Sequence, residues 1–269
     1  MKTHFDRSGL REALSRLPLE KGDVVFSHSN LGFFGRPADV SDADQLCELF
    51  FDEIMTFLGG DGTLIVPTFT YSFPRKQIFD PIHDASGMGV FAEWVRCHAD
   101  SLRSEDPCYS VAAIGAQADY LTKNAPINSF GRDSFFDRFY RINGKVLNLN
   151  FDAGSTFIHY VERQLKVPYR FDKTFSGMIL KNGECVPSTS TIWVRYLSDD
   201  SLEFDSKPFD ALARERRVFH VAGLGRGQVG VISAEDTFNC IQETLQRRPW
   251  FLTRAELLGI VNPIIANEK

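Results

Sequence analysis

Hydrophobic and polar positions along the chain follow a strand, helix, strand order from the start. Residues 8–17 read as a short helix, Lys21–Asp23 as a turn, and VVFSH as a buried strand ending at His28. After a loop, SNLGFFGRPADV, Ser41 is the expected cap of a helix whose apolar positions are Leu46, Leu49, Phe50, Ile54, Phe57 and Leu58 and which stops at Gly59-Gly60. GTLIVP is the next buried strand. A strand, a helix and a strand within about 45 residues suit a right-handed parallel crossover. Further on, Val90–Ala99 and Gln117–Thr122 read as helices and Val111–Gly115 as a short extended segment. Thr189–Leu197, alternating around Trp193, and Arg217–Ala222 read as antiparallel strands. The expectation is an α/β fold: residues 1–269 as a single domain, its mixed, mainly parallel sheet flanked by helices and extended by late antiparallel strands.

The most informative junction is KVLNLNFDAGSTFIHYVERQL, residues 145–165. Leu147, Leu149 and Phe151 alternate with Asn148 and Asn150, the period of a strand, and Asp152–Gly154 make a turn. Ser155 is the expected helix N-cap, which puts His159 in the first turn, where unpaired N–H groups carry partial positive charge. That field disfavours imidazolium. A histidine near its ordinary pKa of about 6.5 would then stay neutral, with a lone pair free to take a proton. Glu162, three residues on, shares the helix face and is placed to orient the ring or hold a cationic substrate.

Composition narrows the class. A chain of 269 residues with 43% hydrophobic content can bury a large core. No apolar run approaches the roughly 18 residues of a membrane span, and the N-terminal segment lacks a signal-peptide apolar core, so a cytoplasmic protein is expected. Cysteines 47, 97, 108, 185 and 240 are odd in number and widely spaced, and read as reduced thiols. A net charge of −5 without a basic stripe argues against nucleic-acid binding. Twenty-four phenylalanines suggest an aromatic core with some loop anchors.

Several chemistries drop out. Gly225-Arg-Gly-Gln-Val-Gly230 matches the dinucleotide fingerprint locally, but too little chain follows it for two mononucleotide-binding halves, so it reads as a tight turn. There is no G-x-S-x-G elbow and no Walker-type loop. The six histidines show no i, i+4 pair, and no metal is expected. General-base chemistry without a covalent intermediate remains.

The segments GDVVFSHSNLGFFG, GTLIVPTFTYS, MGVFAEWVRCHADSLRSEDPCYSVAAIG, FGRDSFF and KVLNLNFDAGSTFIHYVE, in this order and spacing, resemble the aminoglycoside N3-acetyltransferase family over roughly residues 20 to 177. The resemblance implies acyl transfer from acetyl coenzyme A to a sugar amine, with His159 as the base. It implies that the loop of Ser29, Asn30 and Leu31 faces the pantetheine and pyrophosphate, and that Arg103 and Ser104 help to hold the cofactor. Departures cluster around the expected site. Asp106 stands where the family's Arg-Ser-x-His-Pro has histidine, Asn30 replaces the second serine of His-Ser-Ser-Leu, and Asn124 and Phe135 replace a family histidine and proline. A kept donor and a changed acceptor would explain them.

The expected enzyme is therefore an acetyl-CoA-dependent N-acetyltransferase, with His159 and Glu162 catalytic and Asp80, Glu203 and Asp205 as acceptor-binding carboxylates. Backbone N–H groups near Asn30 are the expected oxyanion donors. Three roles compete. N-acylation of an amino sugar in polysaccharide or natural-product biosynthesis is favoured, because the aromatic loop Phe69–Phe79 offers rings to stack on a nucleotide-linked acceptor. The second is antibiotic modification. The third is a silent coenzyme A- or sugar-binding protein, suggested by the lost motif histidine. An oligomer of the chain is compatible with each; neither nucleic acid nor membrane is an expected partner.

Overall fold

The computed structural model describes residues 3–38 and 40–265. Its nine strands are β1 (Val24–Ser29), β2 (Thr63–Pro67), β3 (Leu102–Arg103), β4 (Val111–Gly115), β5 (Lys145–Leu149), β6 (Arg170–Lys181), β7 (Glu184–Arg195), β8 (His220–Leu224) and β9 (Gly227–Ser233). The helices are α1 (Arg7–Ser15), α2 (Ala43–Leu58), α3 (Val90–Arg96), α4 (Ala118–Thr122), α5 (Phe135–Arg141), α6 (Phe157–Gln164), α7 (Lys207–Glu215), α8 (Ala234–Leu245) and α9 (Arg254–Leu258). Among these helices none is long and apolar enough to cross a membrane.

One seven-stranded sheet has the order β3-β4-β2-β1-β5-β9-β8. Its parallel part is the central trio, β1 pairing in parallel with both β2 and β5, and antiparallel strands extend it on either side. The mixed α/β architecture matches the expectation, with the parallel core narrower than the crossover pattern suggests, since β4 runs antiparallel to β2. Thr189–Leu197 is extended but lies outside this sheet. Thr189–Arg195 form the end of β7, which pairs with β6 over twelve residue pairs as a separate ribbon, and the strand stops two residues short of Leu197.

Alternation along the central strands feeds two cores. Val24, Phe26 and Val146 face a layer holding α5, α6 and α8, while Val25, Leu147 and Leu149 face α1, α2 and α3. The phenylalanines do supply the core: Phe26 makes edge-on contacts with Phe135, Phe136 and Phe139. Chain leaving β1 passes to α2 on one face and chain leaving β5 passes to α6 on the other. The carboxyl ends of β1 and β5 thus flank a topological switch point, the position where open α/β sheets bind ligands.

Two helix caps differ from the pattern. Asp42, not Ser41, caps α2 by accepting from Gln45 N at 2.9 Å, because Ser41 turns its hydroxyl to Asp42 and Gln45. Thr156 takes the cap position of α6 with helical dihedrals and no side-chain bond, while Ser155 gives only its carbonyl, to Ile158 N. Of the Gly225–Gly230 segment only Gly225-Arg226, with Gly225 at φ +55°, form the expected tight turn; Gly227–Gly230 already belong to β9, where a Cβ on Gly230 would stand 2.3 Å from the Phe219 ring. All five cysteines are free.

Candidate active site

The strand-to-helix corner is built from buried polar contacts. Asn148, fully buried on β5, donates through Nδ2 to the carbonyls of Asp152 and Gly154, which pins the turn leading into α6. Asp152 accepts from Gly154 N at 2.8 Å and from the Ser206 hydroxyl at 2.7 Å, and Ala153 N donates to Asp210 on α7 at 2.9 Å. A turn held this way delivers His159 at a fixed position in the first turn of α6.

His159 Nδ1 lies 2.6 Å from Glu162 Oε2, so Nδ1–H donates to the ionised carboxylate and Nε2 keeps the lone pair. Glu162 is wholly buried and is itself held: the Tyr169 hydroxyl donates to Oε1 at 3.0 Å, and Arg170 Nε stands 2.8 Å from Oε2 as a charge contact. Burial pushes the Glu162 carboxyl up, but Arg170, His159 and Tyr169 outweigh it and hold the group below the usual glutamate range. Burial, then the Arg170 charge, lowers His159 despite the opposing pull of Glu162. The shift favours the neutral imidazole, through burial and a neighbouring cation rather than the helix terminus. The ring is not sealed in: 17% of the side chain stays exposed, with Phe130 and Phe204 edge-on at 6.3 and 5.0 Å.

Tyr169, Arg170 and Phe204 escape a sequence reading. The Lys166 backbone, at φ +53°, turns the chain after α6 so that Val167 N bonds to Glu162 O and brings Tyr169-Arg170 back onto Glu162. No periodicity announces such a return. The nearest signal is an arginine inside an otherwise apolar and aromatic stretch, VPYRF.

The other expected site residues divide. Ser29 ends β1 and buried Leu31 opens a 3-10 turn, so the Ser29–Leu31 loop lies at the switch point, with the backbone of Gly89 beside the Ser29 carbonyl. The N–H of Asn30, however, donates to Leu149 O at 2.9 Å, which removes it as an oxyanion donor. Arg103 is spent on the long loop after β2: Nη2 donates to Thr68 O at 2.9 Å, Nη1 to Asp84 O, and the guanidinium lies 5.3 Å from the Phe79 ring. Burial lowers its pKa to about 10. Ser104 is buried and accepts from Val111 N. Both residues are thus built into the frame. Asp106 is buried as well, accepting from Cys108 N and Tyr109 N, and burial raises its pKa.

The acceptor carboxylates are not brought to His159. Asp80 turns both oxygens onto its own turn, Oδ1 taking Ile82 N and His83 N and Oδ2 the His83 ring. Glu203 pairs with Arg254 at 2.7 Å on the surface, and Asp205 accepts from Lys207 N. What this segment contributes to the His159 neighbourhood is the Phe204 ring between them. A cavity of about 650 Å³ opens at the same corner, lined by Asn150, Phe151, Asp152, Ser206, Arg226 and Gln228. Among the described residues no cluster of His, Cys, Asp or Glu is placed to hold a metal ion.

The family model for aminoglycoside 3-N-acetyltransferase matches residues 37–246. The chain belongs to this family. It is accordingly an acetyl-CoA-dependent N-acetyltransferase. Aminoglycoside N(3)-acetyltransferase IX of Micromonospora chalcea is 25% identical over 262 residues, covering 86% of this chain and 87% of the relative. Sisomicin-bound AAC-VIa superposes with a TM-score of 0.77 at 24% identity, over 91% of this chain and 99% of that one. AAC-IIIb in a binary complex with CoASH gives 0.74 at 20% identity, over 90% and 97%. At these identities the two structures show a common fold.

Proposed function

We propose that this acetyltransferase, acting as one catalytic domain, acetylates an amino group of an aminoglycoside-type amino sugar, with His159 as general base and Glu162 as the group that orients it. The observation that carries the reading is the 2.6 Å contact between His159 Nδ1 and a buried Glu162 that Arg170 keeps ionised. An amine attacks a thioester only in its unprotonated form. Nε2 of His159 takes the proton from the attacking nitrogen, the imidazolium that results is stabilised by Glu162, and as the C–S bond breaks that proton passes to the departing coenzyme A thiolate, leaving amide, free thiol and neutral His159. Acetyl-CoA supplies an activated acyl carbon. The switch-point loop of Ser29–Leu31 supports its placement, and the buried donors of His28 and Ser155, which lack a protein partner, fit a thioester carbonyl. The cytoplasm is the compartment that suits this co-substrate and five free thiols.

The curated relative named above acts on aminoglycosides, which favours antibiotic-type acceptors over a biosynthetic amino sugar. The aromatic loop that motivated a nucleotide-linked acceptor supports it little, since Phe69, Phe73 and Phe79 are all buried and Tyr71 is only partly exposed. The intact His159–Glu162 pair weighs against a silent binding protein. A screen of aminoglycosides and nucleotide-linked amino sugars, read by release of coenzyme A thiol, tests the reading. Turnover of aminoglycosides is expected, and turnover of nucleotide sugars alone would overturn it.

A further inference from the structure

His28 and Asn148 are register partners on the parallel strands β1 and β5, so their side chains leave the same face of the sheet at its carboxyl edge. Phe26, two residues before His28, places that face in the layer that holds α6, and its ring is edge-on to His28 at 4.6 Å. Neither ring nitrogen of His28 has a hydrogen-bond partner, although both are buried. Oδ1 of Asn148 is buried and unpartnered as well; its amide cannot be reversed, because Nδ2 already faces two carbonyls. The Ser155 hydroxyl, in the turn that enters α6, is a third such group. Buried polar atoms in native proteins are almost always paired, so a cluster of orphans at a switch point calls for a polar ligand. The Asn30 N–H, committed to Leu149 O, does not supply an oxyanion donor here.

We propose that His28 and Ser155 form a donor recess for the acyl carbonyl of the thioester, with neutral His28 donating a hydrogen bond to the carbonyl oxygen, while Asn148, whose free Oδ1 only accepts, holds the turn beside it. The inference rests on the acetyl-transfer reading and names a further catalytic residue within it. It places His28 where negative charge develops on oxygen, and His159, on the first turn of α6 on the same face, where the amine proton leaves. A donor of this kind acts by being fixed in place beforehand, which is why it is left without an internal partner.

His28→Phe keeps the aromatic contact with Phe26 and removes the donor. Because it replaces an unpaired buried polar group with an apolar ring, its melting temperature is expected at or above that of the parent. Its kcat should fall by about 10²- to 10³-fold, with affinity for free coenzyme A unchanged. A second measurement needs no variant: the carbonyl stretch of ¹³C-acetyl-CoA bound to the parent enzyme, without acceptor, should lie below its position in an aprotic solvent and return toward it in His28→Phe. Should the variant not fold, the parent spectrum decides. A folded variant with undiminished kcat, an unshifted carbonyl band in the parent, or no binding of acetyl-CoA overturns the inference. A shifted band in an enzyme that acetylates no aminoglycoside would sink the acceptor assignment and leave the recess standing. An unshifted band in an enzyme active on aminoglycosides would do the reverse.

Discussion

His159, Glu162 and Arg170 act as one charge unit, and the contribution of each follows from what it faces. Glu162 is buried between a base that must gain a proton and a cation that cannot lose one, so its negative charge is stable throughout the proposed cycle. Burial and Arg170 hold the His159 pKa below its ordinary value of about 6.5. The lone pair therefore persists as pH falls through 6.5, and the acid limb of kcat should lie below that pH. Arg170→Leu removes the cation that lowers His159 and leaves Glu162 uncompensated. Breaking a buried pair in this way costs about 3–5 kcal/mol; denaturant titration should show a loss of that order, and the acid limb should move to higher pH. A limb that stays in place would mean that Arg170 does not act on the histidine.

The β5–α6 corner shows how far a sequence pattern reaches. Val111–Gly115 is a strand with the expected bounds, and the 145–149 alternation is there because Val146 and Leu147 fill opposite cores. Periodicity reports burial, so it finds strands covered on both faces. It misses β6, whose middle is largely solvent-exposed and whose pairing depends on β7 rather than on the core. The strand after Asn148 also ends sooner than alternation predicts, because Asn150 adopts φ +66° and bonds to Gln228 O. In the site, His159 and Glu162 were visible as a helical i, i+3 pair, whereas Tyr169, Arg170 and Phe204 arrive through folds of the chain that no local spacing encodes. Asp80, Glu203 and Asp205 have partners of their own, because an acidic side chain in a loop caps turns and pairs with surface arginines as readily as it binds a substrate. Strand β9 permits a direct check on packing: Gly230→Ala forces a methyl against the Phe219 ring at 2.3 Å. It should cost about 1–3 kcal/mol, read as a lower melting temperature; an unchanged one would show that Phe219 moves aside freely.

For the molecule as a whole, two buried histidines make acid the natural denaturant. His28, at a pKa of about 4, and His159, also lowered, stay neutral in the fold while their unfolded counterparts take protons near pH 6.5. Both folded values lie below the unfolded ones, so their stabilising effect is complete above pH 6.5 and is lost as pH falls. For His28 the loss between pH 6.5 and 4 is roughly 3 kcal/mol. Unfolding free energies measured across that range should show the decline, and His28→Phe should flatten much of it; a parallel decline in the variant would assign the acid sensitivity elsewhere. Activity depends on the same neutral imidazoles. The central claim, that His159 removes the amine proton, is tested most directly by steady-state acetylation of an aminoglycoside by His159→Ala beside the parent enzyme. The account predicts a kcat lower by about 10²- to 10⁴-fold with coenzyme A affinity and melting temperature little changed. A folded variant that acetylates at the parental rate would contradict it.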